Sequence, residues 1–412
     1  MLVNVPIPEP KPVDDFRELA GDEAVERLYE AAAPLKGARL VHISSTAFGG
    51  GVAELLNTQV ALLHDLGIEA EWQLIEGGEE FFAVTKLAHN ALQGAGVPWT
   101  EAMEGTYLER LAHNAARFEE GADFVFVHDP QPAALLTFLE EQDRRAGKWI
   151  WRCHIDLSEP MEAVWGFYAM HIVHYDAAVF TMDEFVRPGL PIRVEIIAPA
   201  IDPLSPKNAY LEPEAVREIL ESYSIDSERP LVTQVSRFDP WKDPFGVIDA
   251  YRQTRETVPD LQLVLVGSMA QDDPEGWHYL EKTEEARAED PNVHVLTNLQ
   301  GVGDVAVNAF QRASDVVLQK SLREGFGLTV SEAMWKEKPV IAGNAGGLRL
   351  QVEDGTTGYL VDSADECAER LAGLLADASL RQRMGVAGRE RVRRDFLTLR
   401  EVEEYLRLAV SL

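Results

Sequence analysis

The sequence is poor in cysteine and has no long apolar runs. Its two cysteines, Cys153 and Cys367, lie far apart in the chain, which indicates neither a disulfide framework nor a thiolate metal site. We interpret both as packing residues. No apolar run approaches the roughly 18 residues that a membrane helix needs, and the proline-rich start, residues 6–12, lacks the basic and apolar regions of an export signal. We therefore expect a soluble, cytoplasmic protein with an extended N-terminal arm.

Basic residues are also scarce relative to acidic ones. The chain has 38 Lys and Arg against 69 Asp and Glu, a formal net charge of −31. Such a charge repels polyanions, so we expect neither a nucleic-acid partner nor an anionic membrane partner.

What the sequence does contain is a regular alternation of short β-branched runs and amphipathic stretches. This pattern is typical of parallel sheets with crossover helices, and 412 residues suffice for two α/β domains. The predicted strands fall into two series: 39–44, 69–75, 123–128, 149–154, 178–181 and 194–198, then 231–236, 261–266, 293–297, 315–319 and 339–342. The apolar pattern stops near residues 199–203. We predict two doubly wound domains that face a cleft, 1–203 and 204–395, with a last helix, 396–412, that packs back on the first domain.

One segment of the second series, L-R-E-G-F-G-L-T-V-S-E-A, places Glu324 and Glu332 eight positions apart across a junction from loop to helix. The residues between the two carboxylates include four that we predict to contact substrate: Gly325, Phe326, Gly327 and Leu328. Glycines allow close approach of a ligand, and a helix N-terminus favours an anion such as a diphosphate. The plainer alternative is a solvated loop glutamate and an exposed helix glutamate.

A second segment, S-R-F-D-P-W-K-D-P, follows the first strand of the second series. It places Arg237 and Lys242 at the carboxyl end of a strand, where ligands of open α/β sheets bind. Two fixed cations there would stabilise the charge that grows on a departing phosphate. The alternative is a surface ion pair with Asp239 or Asp243.

The first series has two candidate segments of its own. The run Gly49–Gly51 joins the first strand to its helix and could offer backbone amides to phosphates, although it could also be a tight turn. His154 ends a later predicted strand and Asp156 follows it. Both could bind sugar hydroxyls, whereas a histidine at a strand end is often only structural. The same caution applies to His128 and Asp129.

Signals for other cofactors are weak. The sequence has no D-x-D or H-E-x-x-H motif, and His171 and His174 are interpreted as packing or surface residues. We predict no metal site built by the protein, although Mg²⁺ could accompany a donor diphosphate. The segment G-V-G-D-V-A at 301–306 fits a loose dinucleotide pattern, but we interpret it as a turn because it comes late in its domain.

Together, Glu324 and Glu332 with Arg237 and Lys242 resemble the E-x7-E arrangement of the retaining GT-B glycosyltransferases. The stretches S-S-T-A-F-G-G-G-V-A-E, W-R-C-H-I-D-L-S and S-R-F-D-P-W-K-D-P are similar more narrowly to the trehalose synthase branch, over nearly the whole chain. The resemblance implies synthesis of α,α-trehalose from free glucose and UDP-, ADP- or GDP-glucose, the base being unresolved, by a homodimer.

The resemblance also implies a role for each matching residue. Glu324 would contact the donor glucose, and Glu332 would contact the ribose. Arg237 and Lys242 would bind the diphosphate, and Gly50 and Gly51 would also contact the phosphate. His154 would contact the far hydroxyl of the donor sugar. Three alternatives stay open: a retaining trehalose phosphorylase, another α-glucosyltransferase of the same family, and a sensor that has lost turnover.

Overall fold

The computed structural model describes residues 2–6, 11–48, 50–269 and 274–412. The chain divides into two compact units: Met1–Ala200 together with Thr398–Leu412, and Ile201–Leu397. The substrate roles predicted for the two domains stay predictions, and residues 7–10 of the proline-rich start lie outside the described residues.

The first unit is built on a seven-stranded sheet in the order β1-β3-β2-β4-β5-β6-β7. Its strands are β1 (Val3–Asn4), β2 (Arg39–Ser44), β3 (Glu69–Leu74), β4 (Phe124–His128), β5 (Lys148–Arg152), β6 (Ala177–Phe180) and β7 (Arg193–Ile196). All neighbours pair in parallel except β1, which runs antiparallel to β3. The helices are α1 (Arg17–Ala20), α2 (Asp22–Ala32), α3 (Gly51–Asp65), α4 (Glu79–Leu92), α5 (Glu101–Ala115), α6 (Leu135–Glu141), α7 (Glu162–Ile172) and α16 (Thr398–Ser411).

The second unit has a parallel six-stranded sheet in the order β10-β9-β8-β11-β12-β13. Its strands are β8 (Leu231–Val235), β9 (Gln262–Gly267), β10 (Val293–Thr297), β11 (Val316–Gln319), β12 (Val340–Gly343) and β13 (Gly358–Val361). Its helices are α8 (Pro213–Ser222), α9 (Pro244–Arg255), α10 (Pro274–Arg287), α11 (Asp304–Ala313), α12 (Leu328–Trp335), α13 (Gly346–Gln351), α14 (Ala364–Ala376) and α15 (Ala378–Asp395).

The central strands form because their residues are buried on both sides of each sheet, whereas the edge strands β1 and β7 are partly or fully exposed. The strand β9, for example, is a run of Leu and Val in which every residue is buried, which is the pattern of a parallel sheet covered by helices on both faces. The predicted α/β fold class is confirmed. All eleven predicted strands are present, with ends within two residues of those expected, whereas β1 and β13 were not predicted.

Each sheet has one point where the strand order reverses. In the second unit β8 is followed by β9 and β10 on one side and by β11, β12 and β13 on the other. In the first unit the same reversal lies between β2 and β4. Loops at the carboxyl ends of the two strands that flank such a point diverge and leave a crevice, which is where open α/β sheets bind ligands.

Across the described ranges, none of the helices combines the length and the apolar character that crossing a bilayer requires.

Candidate functional site

In the second unit, the two predicted segments follow the strands that flank the reversal point. One follows β8 and the other follows β11, and these strands are parallel neighbours. Both loops therefore leave the same edge of the sheet, and the charged groups predicted 80 or so positions apart in sequence are neighbours in space.

The loop after β8 is held by two aspartates, one that caps a single 3-10 turn (Pro240–Lys242) and one that caps α9. The Asp239 carboxylate accepts hydrogen bonds from the backbone N–H groups of Trp241 (3.0 Å) and Lys242 (3.2 Å). The next cap is Asp243, which has a left-handed φ of 45° and accepts from Gly246 N–H at 3.0 Å. These caps fix the backbone of Lys242 near the strand end, so the side chain that carries its ammonium is attached to a rigid segment.

The two cations of this loop have different partners. Arg237 Nη2 lies 3.1 Å from Asp239 Oδ2, and its side chain is 42% exposed, so the simple ion pair considered from sequence is present here. The side chain of Lys242 pairs with neither aspartate. Its ammonium donates to Glu324 Oε2 at 2.6 Å, and both side chains are largely buried.

Among the described residues, Glu324 accepts hydrogen bonds on only one of its two carboxylate oxygens. Oε2 accepts from Lys242 Nζ, from Ser321 Oγ at 3.1 Å and from Gln319 Nε2 at 3.4 Å. Within the described residues no hydrogen bond to Oε1 is recorded, so Oε1 keeps its acceptor capacity. Glu324 is a fixed, mostly buried carboxylate and not the solvated loop residue of the plainer alternative.

The loop that carries Glu324 is braced by α13. Gly347 N–H donates to the Glu324 carbonyl at 3.0 Å, and Gln351 Nε2 donates to the Phe326 carbonyl at 2.5 Å. A Cβ at position 347 would lie 2.4 Å from Phe326 Cα, so glycine is needed for this close approach. The Phe326 ring is buried against Phe396, with centroids 5.5 Å apart, which leaves its backbone as the part able to meet a ligand.

The helix α12 begins at Leu328, directly after Gly327, which has a left-handed φ of 86°. Its N-terminus therefore carries the unbonded amides and positive dipole end predicted for a diphosphate site. Gly325, Gly327 and Leu328 are all partly exposed.

Glu332 lies on α12 and is fully buried, which contradicts the alternative of an exposed helix residue. Its Oε2 accepts a long bond of 3.4 Å from Gln311 Nε2, and its Oε1 has no hydrogen bond although Lys207 Nζ lies 3.7 Å away. Gln311 is held in turn by the buried Lys336, whose Nζ donates to Gln311 Oε1 at 2.8 Å. A buried carboxylate oxygen without a donor is costly, so Oε1 is suited to accept a hydrogen bond from a ligand.

Sequence reasoning missed the polar residues that support the two glutamates. Gln319 and Ser321 hold Glu324, Gln311 and Lys336 hold Glu332, and Gln351 holds the loop between them. A usable signal was the amide at the end of the otherwise apolar strand β11, because a buried amide needs partners.

In the first unit, Gly50 and Gly51 lie where α3 begins, after β2. Both are exposed, and Gly50 has an extended φ of −154°. A Cβ at Gly50 would meet no atom of the protein within 4 Å, so the fold itself does not require glycine there. Gly49 lies outside the described residues.

The structure brings His154 next to Asp129 and His128, at the ends of β4 and β5. Asp129 adopts a left-handed φ of 65°, and its Oδ1 accepts from His154 N–H at 2.8 Å. Burial raises the pKa of Asp129 to about 6. His154 Nε2 lies 3.0 Å from His128 Nδ1. His154 is therefore oriented by its backbone and by its ring.

Asp156 is buried, at 3% exposure, and its Oδ1 accepts from the backbone N–H and the hydroxyl of Ser158 at 2.9 and 2.6 Å. This pattern is a local turn in which the aspartate stabilises its own loop. The predicted contact with a sugar stays a prediction.

No group of three or more His, Cys, Asp or Glu side chains in the described part of the chain is arranged to hold a metal ion. Cys153 and Cys367 are both buried and free.

Two family models match the sequence. One, described as the N-terminal domain of trehalose synthase, matches residues 42–187. The other, described as glycosyl transferases group 1, matches residues 216–391.

Individual proteins agree with these models. A trehalose synthase from Thermococcus litoralis is 49% identical over 406 residues, which is 98% of each chain. A trehalose phosphorylase from Pleurotus pulmonarius is 27% identical, over 97% of this chain and 60% of the phosphorylase. A solved structure from E. coli, described as trehalose-6-phosphate bound with UDP-2-fluoro glucose, has a TM-score of 0.71 at 14% identity and covers 91% of this chain and 98% of that one. This likeness shows the fold, which is GT-B with two Rossmann-like units.

Proposed function

This chain belongs to the trehalose synthase family of glycosyltransferases, and from that premise we propose that it makes α,α-trehalose from a nucleoside diphosphate glucose and free glucose. The reaction is reversible and retains the donor's α configuration. The observation that carries the proposal is the hydrogen bond of 2.6 Å between Lys242 Nζ and Glu324 Oε2, which joins the cationic loop after β8 to the E-x7-E segment after β11.

Lys242 and Arg237 stabilise the leaving diphosphate. As the bond between the anomeric carbon and the phosphate oxygen breaks, negative charge grows on that oxygen, and a fixed cation stabilises it more in the transition state than in the ground state. An ammonium has three N–H groups. Lys242 uses one on Glu324, so it can keep this partner and still donate to a phosphate.

Glu324 binds the donor glucose through its other oxygen. Its Oε2 is held by Lys242, Ser321 and Gln319, which fixes the direction of Oε1. A carboxylate oxygen so oriented accepts a hydrogen bond from a sugar hydroxyl, and it lies close to the positive charge of an oxocarbenium-like transition state.

The acceptor hydroxyl attacks from the face that the diphosphate leaves. Its proton passes to the departing phosphate oxygen, and a bond forms between the hydroxyl oxygen and the anomeric carbon as the bond to the phosphate breaks. No protein nucleophile is needed, unlike in glycosidases with two carboxylates. The protein contributes positioning and electrostatics.

Other residues complete the substrate contacts. The amides at the start of α12 receive the diphosphate, and Glu332 Oε1, which is buried without a donor, receives a ribose hydroxyl. In the first unit we assign Gly50 and Gly51 to the phosphate and His154 to the far hydroxyl of the donor glucose. The described residues form no cluster suited to a metal ion, and no step of the proposed reaction uses one. Mg²⁺ would be bound by the donor diphosphate and not by a site on the protein.

The test is to incubate the purified protein with glucose and each of UDP-, ADP- and GDP-glucose, to measure nucleotide release and to identify the product by NMR. We expect α,α-trehalose, with one nucleotide preferred. Release of nucleotide with a different disaccharide would instead assign another acceptor.

The phosphorylase is the second candidate, favoured by the relative that is 27% identical over 97% of this chain. It is tested by supplying trehalose and inorganic phosphate without nucleotide. Formation of glucose 1-phosphate, with no turnover of any nucleoside diphosphate glucose, would replace the proposal. Absence of turnover in both assays would favour a sensor that binds the nucleotide sugar without turning it over.

A further inference from the structure

Three histidines of the first unit form a continuous hydrogen-bonded chain. His42 on β2 has its Nδ1 3.0 Å from Nε2 of His128 on β4, and His128 Nδ1 is 3.0 Å from Nε2 of His154, which follows β5. The ring centroids are 5.2 and 5.3 Å apart. With nitrogens at 3.0 Å, these separations mean that the rings meet edge to edge, as a hydrogen bond requires, and not face to face.

All three rings are neutral at pH 7. Burial lowers the pKa of His42 to about 3 and lowers the pKa values of His128 and His154 well below the ordinary value, with the positive charge of Arg152 adding to the effect on the latter two. A neutral imidazole has one N–H donor and one bare acceptor nitrogen.

Because each ring carries a single N–H proton, the tautomers of the three hydrogen-bonded histidines are coupled. Each of the two contacts between rings needs one proton, and His128 has one proton to give. If it lies on Nδ1 of His128, then His42 and His154 must also carry theirs on Nδ1. If it lies on Nε2, both neighbours must carry theirs on Nε2. Two arrangements therefore exist, and all three rings change together.

The buried end of the chain selects between them. His42 Nε2 is enclosed and has no hydrogen-bond partner among the described residues. In the first arrangement this atom is a bare acceptor, whereas in the second it is an unpaired N–H. Among buried backbone groups, N–H groups without a partner are rarer than under-satisfied carbonyl oxygens, and we infer the same order for this ring nitrogen. The first arrangement is favoured.

We propose that His42 and His128 are positioning residues that fix His154 in the tautomer with its proton on Nδ1, so that His154 donates a hydrogen bond to a hydroxyl oxygen of the donor sugar. The assignment of that hydroxyl rests on the function proposed above. His154 Nδ1 has no partner among the described residues and is not enclosed, so it is the end of the chain that a ligand can reach.

The first experiment needs no activity. Two-bond correlation of ¹H and ¹⁵N in the uniformly labelled wild-type protein at pH 7 reports which nitrogen of each ring carries the proton. We expect all three protons on Nδ1, although free imidazole side chains favour Nε2. All three on Nε2, or a mixture of the two senses, would overturn the proposal even if the enzyme makes trehalose.

The second experiment asks whether the chain matters to the substrate. It compares kcat/KM for the nucleoside diphosphate glucose that supports turnover with kcat/KM for its 6-deoxy counterpart, which lacks the far hydroxyl assigned to His154. The wild type should prefer the hydroxylated donor about five- to tenfold, the size of one hydrogen bond between neutral groups. His154→Ala and His128→Phe should each lose this preference, and the double variant should lose no more than either one.

The matched control is His171→Phe. His171 is also a buried histidine of the first unit, but its ring contacts Thr137 and none of the three hydrogen-bonded histidines. It should change neither the tautomer of His154 nor the donor preference. An unaltered preference in His128→Phe would overturn the positioning role, and if that variant fails to fold, the tautomers of the wild type still decide.

Discussion

The two units have the same architecture but place different chemistry at their reversal points. In the second unit the loops after β8 and β11 hold ions, with Lys242 bound to Glu324 and the N-terminus of α12 nearby. In the first unit the ends of β2, β4 and β5 and the loops after them hold exposed glycines, the neutral His128 and His154, and the carboxylates of Asp129 and Asp156. We therefore propose that one fold serves two kinds of recognition here, because the residues at the strand ends and not the sheet decide the ligand.

Under the proposed function, the difference matches the groups that each unit would bind. A diphosphate with changing charge calls for fixed cations, whereas sugar hydroxyls call for neutral donors and acceptors of set direction. The following changes either remove the contrast between the units or measure it, beginning with the largest expected effect.

Lys242→Ala should lower kcat about 10²- to 10³-fold, the range found when one group that stabilises transition-state charge is removed, with a smaller change in KM for the donor. Steady-state kinetics measure both values. Lys282→Ala, on α10, is the control and should leave both unchanged. A large loss of donor binding at an unaltered rate would contradict the charge-stabilising role.

Glu324→Gln keeps the shape of the side chain but removes the charge that holds Lys242. We expect kcat/KM to fall about 10- to 100-fold, since hydrogen bonds to charged groups contribute about 1.5–3 kcal/mol. Glu214→Gln changes a glutamate whose side chain is 69% exposed and serves as the control. If the two variants behaved alike, Glu324 would have no special role.

His42→Phe should make the stability of the protein less sensitive to acid. The pKa of His42 is about 3 in the fold because of burial, against 6.5 for the ordinary group, so the unfolded chain binds a proton more readily as the pH falls below 6.5. The wild type therefore loses stability in the window from pH 6.5 towards 3, by up to about 1.4 kcal/mol per pH unit for this group.

Unfolding in denaturant at pH 7.5, 6.5 and 5 measures this dependence. Between pH 6.5 and 5, the variant should lose about 2 kcal/mol less than the wild type. His113→Gln, at a ring that is 48% exposed, should leave the dependence unchanged. Equal acid sensitivity in His42→Phe and in the wild type would mean that His42 is not held neutral.

Glu332→Gln should have the smallest effect. Loss of the carboxylate charge at a single ribose contact should raise the Kd for the nucleotide about tenfold, while kcat at saturating donor changes less than that. Calorimetric titration with the nucleotide alone gives the Kd. An unchanged Kd would remove the ribose assignment and would favour the phosphorylase.

The sequence was sufficient to predict the fold because the strands are short runs rich in apolar and β-branched residues that alternate with helical stretches. It failed at β1 and β13, which have two and four residues and offer too few positions for a period to be recognised. Candidate site residues could be identified where charged residues lie in the loop after a strand, as Arg237, Lys242 and Glu324 do, and their roles stay predictions.

Partners in space were not predictable. Glu324 is 82 residues from Lys242, and spacing along the chain does not encode which of several nearby ions will pair. His42 was overlooked for a related reason. A single histidine inside an apolar strand is inconspicuous, and its significance comes from His128 and His154 on neighbouring strands.

The first unit is discontinuous in sequence, since it is completed by α16 after the whole of the second unit has been made. In α16 Glu401 Oε2 accepts from Ala200 N–H at 3.1 Å, and Glu403 Oε2 lies 3.2 Å from Arg27 Nε. At a translation rate of about 5–20 residues per second, α16 is therefore synthesised roughly 10 to 40 seconds after the rest of the first unit. Until α16 is made, the apolar surface that its buried face covers stays open to solvent, which exposes the nascent unit to aggregation.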